Sequence, residues 1–256
     1  MVSLALEARA NYSAFINKAI KVANVMITHH HHLETELIAN RETATRLRNV
    51  TVEFRQQDSA AIFGWTERSA EAKVIFVNDV LRDRLAMITQ DDSSHECQCI
   101  AFIMAVLLFR KCAHLTLRWK NILVNPSKYD DEVGNYMKVK LFGGLTCLKI
   151  QKSASVISRT RKSGAWTENI PILDVVIETL DGMKVIRADH LSKFFAPGKL
   201  DDKAFFSLEL QTYQRTKGVT AHLGRKQHRT PSLETNVMIP SPLCEISPNR
   251  NVRKKL

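Results

Sequence analysis

His114 lies within the stretch "LLFRKCAHLTLRW" (107–119), with Arg110 four residues before it and Lys111 three before it. Residues four apart share one helix face. Two imidazoles at that spacing grip a single metal ion while a carboxylate between them faces the bound water. In this stretch the first position is a guanidinium, which has no lone pair to donate, and the second is an ammonium near neutral pH. One donor beside two cations is what remains, and a plain core helix holding one histidine would read the same way. A second group, "HECQC" (95–99), supplies His95, Glu96, Cys97 and Cys99. Cys97 and Cys99, two apart, point about 200° away from each other on a helix. Cys112 and His114 share that defect, and neither pair has the C-x2–4-C spacing of structural zinc sites. Free, buried thiols acting as small hydrophobes are expected. In the run "HHHH" (29–32) only alternate members approach one ion, so a solvated surface run with incidental metal affinity is expected.

The elements around these residues follow from pattern. "SAFINKAIKVANVMI" and "LETELIANRETATRLRN" read as helices, the second with Leu33, Leu37, Ile38 and Leu47 near helical spacing. "VTVEFRQQ" (50–57) alternates like a half-buried strand, and "AKVIFVND" (72–79) is a second strand. Asn78 or Asp79 then caps a helix over "VLRDRLAMI". Ser93 and Glu96 have capping-box spacing, which starts a helix that runs through Trp119 and stops before Pro126. Its apolar run "CIAFIMAVLLF" (99–109) is too short to span a bilayer, so the helix is expected as the buried spine of the domain. Beyond it, "KYDDEVGNYMKVKLFGG" reads as a short helix ended by Gly143–Gly144. "LDVVIETLDGMKVIRADHLSKFF" reads as a hairpin at Asp181–Gly182 followed by a helix capped near Asp189. "FFSLELQTY" is one more strand or helix. From about Thr216 the Pro-, Ser- and Arg-rich chain reads as disordered.

The helix "FRKCAHLTLRW", the preceding "KVIFVNDVLRDRLA" and the later "EVGNYMKVKLFGG" (132–144) together resemble zincin-type HExxH metallopeptidases, in particular a group of uncharacterised fungal proteins. The resemblance covers residues 50–145 and weakens towards 210. It implies an α+β fold, a degenerate zincin-like domain (49–213) with a small mixed sheet packed on a long buried active-site helix, which pattern and composition flank with a helical N-terminal region (1–48) and a basic, disordered tail (214–256). The family motif F-H-E-x-A-H is replaced by FRKCAH. Arg110 stands at the first ligand, Lys111 at the general base and Lys138 at the third-ligand glutamate, leaving His114 alone. Arg110, Lys111, His114 and Lys138 are thus former-site positions, with no catalytic residue, no metal set and no cofactor expected. If the fold is kept, Arg110, His114 and Lys138 converge. Asp130, Asp131 or Glu132 then pairs with them, a phosphate-like anion binds, or the cleft stays open to water.

Composition bounds the rest. The chain has 256 residues, 45% of them hydrophobic, and a net charge of +11. From Gln214 onward nine Lys/Arg face only Glu234 and Glu245, so the tail carries +7 of that charge. The start "MVSLALEARANYSAF" lacks the pattern of a signal peptide, and five irregularly spaced cysteines suit a reducing compartment, so an intracellular site (cytoplasmic or nuclear) is expected. Two partner classes follow: a polypeptide in the old cleft, and a polyanion or nucleic acid on the basic tail, although aromatics for base stacking are absent after Tyr213. No membrane partner is expected. The leading expectation is a catalytically inactive metallopeptidase-like protein. A polyanion-associated protein comes second, and a metal-dependent hydrolase with a rebuilt site third.

Overall fold

The computed structural model of the chain describes residues 13–29, 41–57, 62–88, 94–122, 133–151, 168–196, 210–212 and 236–240. Its spine is α4, His95–Trp119, in which every residue from Cys97 to Arg118 is buried. A helix that is apolar on all sides needs neighbours on all sides. Those are α1 (Ala14–His29), α5 (Val133–Phe142), a first sheet of β1 (Thr51–Arg55), β2 (Gly64–Thr66) and β3 (Val74–Asn78), and β5 (Ile172–Thr179) of a second sheet. α2 (Arg41–Arg48), α3 (Asp79–Met87) and α6 (Ala188–Lys193) complete the helices. α4 is long and apolar enough to cross a membrane, but that window is wholly buried within the fold. The α+β architecture is as expected: a small mixed sheet on a long buried helix.

Local chemistry sets the ends of α4. Ser94, one residue later than the expected Ser93, is the N-cap, and its hydroxyl accepts from the Cys97 amide at 3.4 Å. Glu96 does not close a capping box, because its carboxylate is engaged by Arg84. The helix stops well before Pro126, at Trp119. Asn121 takes a left-handed conformation (φ 56°), its amide bonds to the Arg118 carbonyl at 2.8 Å, and the Ile122 amide bonds to Leu117 at 3.0 Å. This six-to-one plus five-to-two pattern satisfies the last carbonyls. α3 begins as expected: the Asn78 side chain accepts from the Val80 amide at 3.2 Å. Gly143 ends α5 with φ 71°. α6 differs from expectation. Arg187 holds its N-cap position without a side-chain cap, and Asp189 lies in the first turn, where it pairs with Arg187 at 2.8 Å.

The first sheet has the order β1-β3-β2, with β1 parallel and β2 antiparallel to β3. The second is antiparallel, in the order β7-β6-β5-β4-β8, with β4 Leu145–Gln151, β6 Gly182–Ile186, β7 Leu210–Thr212 and β8 Asn236–Pro240. Of the two alternatives for "FFSLELQTY", the strand is the one formed, as β7. One strand corrects the sequence reading: the tail expected to be disordered throughout contributes β8, which pairs with β4 from Cys147↔Pro240 to Gln151↔Asn236. The short apolar run Val237–Ile239 completes an edge that β4 would otherwise leave with unpaired amides and carbonyls. The rest of 214–256 lies outside the described residues. The boundary expected at 48/49 falls where no break in packing occurs, since α1 lies along α4 and shares its apolar core.

Candidate functional site

Arg110, Lys111 and His114 lie on the spine helix, with Arg110 and His114 one turn apart on the same face. They are 1%, 1% and 6% exposed, and Lys138 on α5 is 0% exposed. α5 packs against α4, and the Phe102–Phe142 ring contact at 5.8 Å sets the end of α5 about two turns before Arg110 along the spine. Each of the four makes at least one polar, ionic or ring interaction. Full burial removes one of the three expected outcomes, a water-filled cleft: these cations are packed into protein. A buried charge survives only where interactions replace its hydration. Asp130, Asp131 and Glu132, expected as counter-charges, lie outside the described residues, as do His30, His31 and His32.

Zinc does not fit these positions. A guanidinium and two lysine side chains supply positive charge where an ion would need lone pairs, and His114 alone cannot hold it. Among the described residues, no group of three or more His, Cys, Asp and Glu side chains could hold a metal ion.

The first turn of α4 carries the other polar cluster. Glu96 receives a two-pronged ion pair from Arg84, Nε to Oε1 at 2.9 Å and Nη2 to Oε2 at 2.8 Å. It also accepts the Ile172 amide at 2.7 Å, and Arg84 Nη1 donates to the Glu168 carbonyl at 3.0 Å. His95 Nε2 lies 3.2 Å from Asp174 Oδ1 and 3.6 Å from Cys99 Sγ, and Lys149 Nζ lies 3.4 Å from Asp174 Oδ2. The Cys99 thiol is pushed well above its usual range by burial, with the Asp174 and Glu96 charges adding to the effect. Burial alone raises Cys112. Cys97, Cys99, Cys112 and Cys147 are all free and buried, as their sequence context suggested.

The sequence model of the metallopeptidase toxin 3 family matches residues 9–143. That is more than half of the chain. The chain belongs to the metallopeptidase toxin 3 family. No curated protein and no solved structure matches it. The family span runs from α1 through α5 and contains Arg110, Lys111, His114 and Lys138, so the metallopeptidase-like domain includes the N-terminal helices as well as the spine. The second sheet, β4 to β8, follows after the family match ends. The pairing of His95 with Cys99 was legible in principle, because the two are four residues apart. Asp174, on a strand far along the chain, has no local signature.

Proposed function

We propose that the chain is a metallopeptidase-like protein without peptidase activity. The observation that supports this most is the full burial of Arg110 and Lys138. Long cations packed into the core at two ligand positions, with Lys111 at the base position, replace the ion's charge with the protein's own. Hydrolysis in this family's manner needs a metal-bound water and a carboxylate to deprotonate it, and these side chains supply neither. The test is restoration. Arg110→His, Lys111→Glu and Lys138→Glu together are expected to give a zinc affinity that depends on His114. If the triple variant folds and gains none, the plain core-helix reading of "RKCAH" replaces this one.

The tail supports a second reading, polyanion binding by counterion release, through its +7 charge. Truncation would confuse the test because β8 belongs to the sheet. Changing Arg225, Lys226, Arg229, Arg250, Arg253, Lys254 and Lys255 to Gln leaves β8 in place. A salt-dependent affinity for heparin or RNA that these changes abolish would favour this second reading.

A further inference from the structure

We propose that residues 213–235 cross the face of the second sheet turned away from α4 and seat the apolar stretch Val219–Leu223 on it. Strand direction is the first observation. Each neighbouring pair in the order β7-β6-β5-β4-β8 is antiparallel, so β7 and β8, four places apart, run parallel. A hairpin turn cannot join parallel strands, because the chain must return to the end at which the first strand began. From Thr212 the chain has 23 residues, 213–235, in which to travel back along the strands to Asn236. It must also cross four strand spacings, about 19 Å. It passes over a face of the sheet or around its rim.

Burial separates those routes. Side chains directly opposite one another on paired strands share a face. Leu148, Val175 and Ile177 face the apolar core around α4, which fills that side. Pro240, Cys147, Val176 and Val185 make a row on the other side, with Met183 on the same face two residues from Val185. Cys147 and Val176 are 2% and 0% exposed and form an apolar cluster apart from the main core. Among the described residues their apolar neighbours are Met183 and Val185, themselves partly buried. Adjacent strands cover a side chain from its flanks and not from above, so a chain on the rim would leave this row open to water. Cover from above fits a crossover on the outer face.

The residues of the crossover suit that seat. Val219, Ala221 and Leu223 alternate with Thr220 and His222, the period of an extended chain with one apolar side. Extended, Val219 to Leu223 spans about 13 Å, enough to lie over Cys147, Val176 and Val185, which occupy about 10 Å of the row. Lys217 and Arg225 flank the stretch. For the polyanion reading, the seating fixes Arg215, Lys217, Arg225, Lys226 and Arg229 along one surface; the docking itself does not depend on that reading.

The test uses Cys147 as a reporter in the full chain. Its alkylation by iodoacetamide, read by peptide mass, is expected to be slow in the parent protein and at least about tenfold faster in Val219→Asp with Leu223→Asp. Cys112, in the main core, should stay slow in both, which shows that the variant is folded. Thr220→Asp, on the other side of the stretch, should leave Cys147 slow. Cys147 that stays slow in the folded double variant, or that speeds up equally in Thr220→Asp, overturns the proposal. Trypsin gives a second measurement on the unaltered chain. Cleavage after Lys217 and Arg225 should lag cleavage after Arg253 at least about tenfold, and equal rates overturn the proposal. Positions 110, 111, 114 and 138 are untouched by either measurement, so failure here leaves the inactive-peptidase reading standing.

Discussion

Arg84 and Glu96 meet in a two-pronged pair at 10% and 19% side-chain exposure. Removing one partner strands the other in a poorly hydrated place. Glu96→Ala is expected to cost about 3 kcal/mol in urea unfolding, towards the low end for breaking a buried pair because the carboxylate retains some solvent. Replacing both residues, Arg84→Met with Glu96→Leu, should recover much of that loss. The buried thiols add a pH dependence. Cys99 and Cys112 titrate higher folded than unfolded, so their contribution is complete below the ordinary thiol value of 9.0. The unfolded chain releases these protons first, and stability should fall as pH rises above 9.0 towards the folded values. A pH series of heat denaturations checks this, with Cys112→Ala flattening the decline. At this scale Arg110, Lys111 and Lys138 stood out in the sequence because the HExxH motif that the helix resembles places other residue types there. Their burial was not legible, since a lysine or arginine in an apolar stretch reads equally well as a solvated side chain.

The glycines at the α5–β4 junction separate two physical effects. Gly143 has a left-handed φ, but a Cβ there meets no atom within 4 Å. Gly143→Ala should therefore cost only the conformational penalty of about 1–2 kcal/mol, and Gly143→Asn less. A Cβ on Gly144 would collide with the Glu178 carbonyl of the paired strand. Gly144→Ala should be the worse change, exceeding about 3 kcal/mol or disturbing the β4–β5 register, as chemical unfolding and amide exchange on β5 would report. The sequence named this Gly-Gly pair as a helix stop without separating the two roles, because only the tertiary neighbour distinguishes them. Most other elements were readable where an apolar period met a cap or a turn: β1, β3, α3, the span of α4 through Trp119, and the β5–β6 hairpin. Besides β8, the misreadings at this scale were single-residue matters of which side chain reaches which partner. Ser94 rather than Ser93 caps α4, and Asp189 turns back to Arg187 instead of capping.

For the whole molecule, the family-matched part from α1 to α5 and the antiparallel sheet after it are joined at the first turn of the spine, through Glu96, His95 and their partners on β5. The second sheet was the least readable part of the fold, since β8 is a five-residue strand inside a basic, proline-containing segment. A chain ending at residue 235 is expected to scatter light and elute as aggregate, because β4 would then present a bare edge. The glutamine-substituted tail, which keeps β8, should stay monodisperse. That pairing also has an order in time. Leu148 leaves the ribosome long before Ile239, its partner across the ladder. Through all the intervening synthesis the nascent chain carries an open flank, available to chaperones or to a strand from another molecule, until its own late segment arrives to claim the place.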